Sequence, residues 1–273
     1  MDLTLEYDSA NIASPAIYEL GELWRYRDLL RMLVSNSIKT RYKRSALGVI
    51  WTFLNPLLST LVLTIAFSQL LRFRVENYAI YLLTGLMVWN FFAQTTSHAM
   101  NMLVWGSSLI KRIYLPRTIF AISVLGNGLV NFGLSLIPLA LIMLVMGHAF
   151  SWTLLLLPPA LLLLGMFTLG ITLVISTLAV FFADVIDMYS ILLTAWLYLT
   201  PIIYPIEIVP EKFAIFIRLN PMYYFVGLFR SLIFTGDLPS PEFWWISAAF
   251  GVGTLLLGWW IFTKKSDEFA YHI

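Results

Sequence analysis

Arg41-Tyr42-Lys43-Arg44-Ser45-Ala46-Leu47-Gly48-Val49-Ile50-Trp51 joins a basic amphipathic stretch to an apolar one, and this junction decides the fold. Upstream, at helical spacing, Leu23, Tyr26, Leu30, Leu33, Val34 and Ile38 share one face, while Arg25, Asp28, Arg31, Ser35, Lys39 and Lys43 share the opposite one. A helix with that pattern lies in a membrane interface. Downstream of Gly48 the chain turns apolar and can cross the bilayer. The basic residues of the junction serve either as an anchor that keeps this side in the cytoplasm or as a cradle for an anionic lipid headgroup. On physics alone both uses stay open.

Working outward, 273 residues that are 60% hydrophobic and 12% charged, with a mean hydropathy of +0.83, exclude a soluble domain. The expected class is an all-α polytopic membrane protein. Residues 1–22 carry Asp2, Glu6, Asp8 and Glu19 with no basic residue and no apolar run. They do not form a secretory signal and are expected to be a disordered acidic lead. Residues 23–46 then form the interface helix, 47–265 the transmembrane domain, and 266–273 a cytoplasmic tail. The absence of cysteine excludes disulfides, thiolate metal sites and cysteine nucleophiles.

Apolar runs long enough to cross, each needing about 20 residues, start near Gly48, Ile80, Thr118, Leu154, Val185 and Phe243. Six spans follow. With the N-terminus inside, the basic residues Arg25 to Arg44, Lys111, Arg112, Arg117, Lys264 and Lys265 fall on the cytoplasmic side, and only Arg72, Arg74, Lys212, Arg218 and Arg230 fall outside. Both termini are therefore expected in the cytoplasm.

Two connections stand out. Ser107 to Arg117 forms a short amphipathic turn closed by Pro116, either a solvated linker or a rigid knob offered to a cytosolic partner. After the fifth span, Leu199-Thr200-Pro201-Ile202-Ile203-Tyr204-Pro205 leads into two apolar segments, Glu211 to Leu219 and Met222 to Phe234, broken at Asn220-Pro221. Each is too short to span. A re-entrant hairpin over about 203–236, dipping into the outer leaflet, is the economical reading, and broken backbone at that depth requires cover by protein or a water-filled cavity.

Polar residues recur inside the spans at helical spacing: Asn90, Gln94, Ser97 and Asn101; Ser123, Asn127, Asn131 and Ser135; Thr168, Thr172 and Ser176. They either hydrogen-bond between packed helices or line a pathway. His98, beside this stripe, reads more simply as a hydrogen-bonded packing residue than as a ligand or proton carrier. Trp51, Trp196 and Tyr198 add aromatic faces that can pack, anchor at the interface, or bind sugar rings. Mid-span Asp, Glu, Lys and Arg are absent, which disfavours ion coupling. No phosphate-binding loop, H-E-x-x-H or G-x-S-x-G occurs. No catalytic residue, bound cofactor, metal site or nucleic-acid surface is expected. Work on a substrate would draw its energy from another polypeptide.

Taken together, three elements resemble the permease subunit of type-2 ABC exporters for bacterial surface polysaccharides and teichoic acids, over about Arg27 to Phe269. They are Arg41-Tyr42-Lys43 with Ser45, Leu47, Gly48, Trp51, Pro56 and Leu57; Leu109-Ile110-Lys111-Arg112 with Leu115-Pro116-Arg117; and Pro201, Tyr204, Pro205 with Asn220-Pro221. One departure is Phe181-Phe182-Ala183-Asp184, where relatives usually carry Arg-Asp and this chain has Ala183. The resemblance implies a homodimer in the bacterial cytoplasmic membrane with two copies of an ATPase subunit that uses ATP and Mg. The cargo would be a lipid-linked O-antigen, capsule or teichoic acid polymer.

By the same resemblance, Arg41, Tyr42, Lys43 and Arg44 would receive the lipid headgroup, and Leu109, Lys111, Arg112, Pro116 and Arg117 would form the coupling helix. Pro201, Tyr204, Pro205, Asn220, Pro221, Tyr223 and Tyr224 would form the external gate. From the polar and aromatic residues of the spans, Trp51, Asn90, Gln94, Ser97, Trp196 and Tyr198 are the candidates for channel lining. A type-2 ABC exporter of a drug or small lipid shares the architecture. A polyprenyl-phosphate enzyme would need acids for a divalent metal, and only Asp184 and Asp187 are placed for that.

Overall fold

The computed structural model describes residues 15–42, 50–70, 75–105, 117–265 and 268–269. Among them there are ten α-helices and no strand. In chain order these are α1 (Pro15–Arg25), α2 (Arg27–Tyr42), α3 (Ile50–Thr64), α4 (Tyr78–Trp105), α5 (Thr118–Val145), α6 (Leu157–Phe181), α7 (Val185–Leu199), α8 (Glu211–Arg218), α9 (Pro221–Arg230) and α10 (Pro241–Lys265). Wider π-type turns extend α3 over Ile65–Leu70 and α9 over Ser231–Thr235.

Breakers in the sequence explain the boundaries. Pro221 stands at the first turn of α9, where its missing N–H costs nothing. Asn220 ahead of it accepts a hydrogen bond from the Met222 N–H at 3.0 Å and so caps the helix. Gly236, at φ 72°, takes the left-handed conformation that ends the hairpin.

The amphipathic N-terminal segment is two helices, with the break at Tyr26. Its faces are those read from the periodicity: Leu30, Leu33, Val34 and Ile38 are half-buried, and Asp28, Arg31, Ser35 and Lys39 are exposed. Val34 packs over Gly126, where an added Cβ would come within 2.9 Å of its methyl. The helix α1 begins at Pro15, inside the stretch 1–22 expected as a disordered lead, and Glu19 is buried. The physical reason is packing: α1 lies against α10 and α5, and that contact outweighs the local polarity of the segment.

Helix α4 is central, flanked by α5, α6, α7 and α9. Interlocking rings hold these together: Phe92 with Phe167 at 5.4 Å, Phe167 with Phe225 at 5.0 Å, Phe91 with Phe132 at 5.8 Å, and Phe132 with Phe229 at 5.5 Å. The most extensive helix pair is α6 with α10, whose backbones touch at Gly170 and Gly258.

Helices occur at all six positions expected to span. Three of them, Thr118–Val145, Trp152–Phe181 and Pro241–Lys265, are long and apolar enough to cross a membrane. Helix α4 has 28 residues, but its amides and His98 lower its hydropathy. Helix α7 has 15 residues, about 22 Å of rise.

Candidate functional site

One face of α4 carries Asn90, Gln94, His98 and Asn101 one above the other, because residues three and four apart share a helix face. On α5 the same spacing aligns Asn127, Asn131 and Ser135, and α3 brings Trp51, Asn55 and Ser59. These three stripes close on a cleft of about 650 Å³ lined along α4 from Leu83 to Asn101. At 1.5 Å per residue that is roughly 27 Å, close to the ~30 Å hydrocarbon thickness of a bilayer.

The floor is tight: a Cβ on Gly128 would come within 2.4 Å of the Thr95 hydroxyl. Several lining polar groups are satisfied within their own helices. Ser135 donates to the Phe132 carbonyl at 2.7 Å, and Asn101 Nδ2 donates to the Ser97 carbonyl at 2.9 Å. The Asn127 Oδ1 is buried with no hydrogen-bond partner among the described residues. Trp51, Phe91 and Phe132 supply the aromatic surface.

A second constellation ties the hairpin to α4. The Arg230 guanidinium donates to the carbonyls of Pro201 at 2.6 Å and Ile202 at 2.7 Å, and lies over the Tyr81 ring with 3.5 Å to the centroid. Tyr78 donates to the Ile203 carbonyl and Tyr81 to that of Tyr204 at 3.1 Å. The Tyr204 hydroxyl in turn donates to the Tyr198 carbonyl at 2.9 Å. On the other side Asn220 Nδ2 donates to Thr200 Oγ1 at 2.8 Å, and the Trp196 indole donates to Asn220 Oδ1 at 2.7 Å. Pro205 precedes the short turn Ile206–Ile208. Tyr223 and Tyr224 pack edge to face at 5.1 Å, both against Phe243.

Of the six residues expected as lining, Trp51, Asn90, Gln94 and Ser97 meet in the cleft. Trp196 does not: it points into the core against Phe92 at 5.2 Å, because its indole N–H is claimed by Asn220. Tyr198 is exposed and away from the cleft. Arg41 and Tyr42 close α2, while Lys43, Arg44, Leu109, Lys111, Arg112 and Pro116 lie outside the described residues. Arg117 lies over the Phe269 ring at 5.2 Å. Sequence reasoning missed Arg230, Tyr78 and Tyr81. The available signal was an arginine in a segment otherwise apolar enough to enter the membrane.

Replacing Asn220 with alanine is expected to destabilise the protein by about 2 kcal/mol, since it removes a helix cap and the links to Thr200 and Trp196 together. Thermal unfolding in detergent checks the sum, and tryptophan emission reports the freed indole. An unchanged melting temperature and spectrum would show that the knot contributes nothing.

Comparison with known proteins gives the same outline. Residues 28–234 match the family described as ABC-2 type transporter. The chain is 33% identical to the O-antigen export system permease protein RfbA of Myxococcus xanthus, covering 92% of this chain and 98% of that protein. It is 32% identical to a Klebsiella pneumoniae protein of the same name over 93% and 96%. With the capsule polysaccharide export inner-membrane protein CtrC of Neisseria meningitidis serogroup A it shares 26% identity over 88% and 91%. The match of residues 28–234 to the family model, with relatives 33% and 32% identical over 92% and 93% of the chain, shows that the chain belongs to the ABC-2 type transporter family.

Proposed function

We propose that this chain is the transmembrane permease subunit of an ATP-driven exporter that moves a lipid-linked polysaccharide outward across the bacterial cytoplasmic membrane. The observation that carries this reading is the near full-length similarity to permeases named for O-antigen export. In the proposed assembly two copies of the chain, each with six spans and both termini in the cytoplasm, stand on two ATPase subunits, which bind ATP and Mg. The segment Leu109 to Arg117 docks on the ATPase, and the hairpin gates the outer end. The cleft between α3, α4 and α5 is the pathway wall: its amides suit hydroxyl groups and its rings suit sugar faces.

The test is deletion of the chain in its own cell, followed by analysis of lipid-linked glycans on each side of the membrane. Polymer is expected to accumulate inside and to be exported again when the chain is restored. Export of normal polymer without the chain, or accumulation of a small lipid or drug instead, overturns the reading in favour of the rival exporter class.

Arg41, Lys43 and Arg44 would receive the phosphate-bearing headgroup at the cytoplasmic surface. Each exposed cation near that surface contributes about 1 kcal/mol. Arg41→Ala is therefore expected to weaken substrate-stimulated ATP hydrolysis of the complex roughly fivefold, and the triple alanine variant roughly a hundredfold. If the triple variant responds to lipid-linked substrate like the parent, after normal insertion is verified, the cluster is a topology anchor only.

A further inference from the structure

The cleft runs along α4 with carboxamides and hydroxyls set among apolar side chains, and among the described residues that line it there is no Asp, Glu, Lys or Arg. His98 is the one ionisable side chain among the described lining residues. Its polar groups are carboxamides and hydroxyls, with Asn90 and Gln94 exposed to the opening. An uncharged wall of this kind discriminates by charge. A carboxylate or phosphate group passing between helices loses hydration that no lining cation replaces, and an uncompensated ion in a low-dielectric site is costly. A neutral hydroxyl exchanges its water for an amide at little net cost.

The exposed carboxamides of Asn90 and Gln94 carry the distinction: a sugar hydroxyl can both donate to their oxygens and accept from their NH2 groups, whereas a carboxylate or a phosphodiester can only accept and would face the oxygens unpaired. The wall thus fits a chain of hydroxyl groups, with aromatic surface from Trp51 and Phe132 for the C–H faces of the rings.

Resting on the export reading above, we propose that the cleft selects glycans whose repeat units are uncharged, and that it rejects polyanionic polymers carrying a carboxylate or phosphate in every repeat. The lipid's own phosphates are outside this statement, since they belong at the cytoplasmic surface with Arg41, Lys43 and Arg44 rather than between the helices. Charge selection then takes place along the glycan, where the described lining carries no cation.

The experiment uses the full chain with its ATPase in lipid vesicles. Two probes share one polyprenyl diphosphate anchor and one glycan length. The first carries a neutral hexose repeat; in the second, one hexose per repeat is oxidised at C6 to the uronate. Initial rates of glycan transfer across the bilayer are compared at about pH 8, above the ordinary titration range of imidazole near ~6.5. The neutral probe is expected to move roughly tenfold faster or more. Gln94→Lys, which places a cation in the cleft of each copy, is expected to bring the two rates within about threefold by raising the uronate rate. Asn90→Leu, which removes an exposed carboxamide from the wall, is expected to slow the neutral probe and leave the uronate rate low. Equal rates in the parent complex, a faster uronate, or a Gln94→Lys variant with the parent's preference would overturn charge selection while leaving export intact. Transfer of neither probe by a complex that still hydrolyses ATP would overturn the export reading itself.

Discussion

Replacing Gly170 with leucine is expected to abolish folded protein. On α6, a Cβ at Gly170 would stand 2.3 Å from the Thr254 carbonyl carbon and 2.4 Å from its oxygen on α10, and a Cβ at Gly258 would stand 2.3 Å from the Gly170 oxygen. Both obstacles are backbone, so no rotamer change relieves them. The two helices have to move apart, and in a bilayer their close contact is itself the source of attraction, because lipid tails are as apolar as the side chains. Even Gly170→Ala should cost about 1–3 kcal/mol through overpacking, and leucine considerably more. The control is Gly253→Ala on α10, where an added methyl meets nothing within 4 Å. It should be neutral, or stabilising by up to ~1 kcal/mol through helix propensity. Size-exclusion profiles and melting temperatures in detergent decide the matter. A monodisperse Gly170→Leu protein with the parent's melting temperature would be incompatible with the α6–α10 contact.

The second large effect belongs to Arg230. Converting it to methionine keeps an apolar stem but removes two charged hydrogen bonds and the contact with Tyr81. The carbonyls of Pro201 and Ile202, both buried, lose their donors. Part of that loss is offset, since the guanidinium is no longer withdrawn from water. The net cost is expected at about 2–4 kcal/mol. Lysine should recover less than half, because an ammonium can neither fork to two carbonyls nor stack on a ring. The packing around it is close: a Cβ on Gly85 would meet the Arg230 Nη2 at 3.0 Å and an Ile202 methyl at 3.1 Å. Amide hydrogen exchange over residues 200–206 is the direct readout. If Arg230→Met leaves exchange there unchanged, the guanidinium does not hold the turn.

How much of this was legible depends on where each partner sits in the chain. The helices follow from apolar runs and breakers such as Asn220-Pro221, which act on the neighbouring residues. The inward face of α2 follows from the 3.6-residue period, which is also local. The cleft was half-legible: the stripes on α4 and α5 repeat every three or four residues, but only tertiary structure sets them face to face around Trp51.

Arg230 escaped because its acceptors are main-chain oxygens, and backbone leaves no mark in a side-chain pattern. Trp196 is a lining candidate in sequence because an aromatic near a polar stripe has no preferred direction there. Its partner Asn220 lies across a turn and a further helix. The pairing of Gly170 with Gly258 is likewise invisible, since a glycine declares that space is needed without naming what fills it. Pro15 to Arg25 reads as too polar to fold alone, and it does so only against α10 and α5.

Helix α7 carries a further consequence. It leaves Met188, Ile191, Leu192, Tyr198 and Leu199 exposed, and its rise of about 22 Å falls several ångströms short of the ~30 Å hydrocarbon layer. As one of the six proposed spans with that face toward lipid, α7 would oblige the bilayer to thin beside it, at a fraction of a kcal/mol for every ångström of mismatch. Acyl chain length would then become a control on this protein that no side chain supplies: shorter chains relieve the mismatch, longer ones deepen it. The protein's working rate should thus track the thickness of the membrane around it.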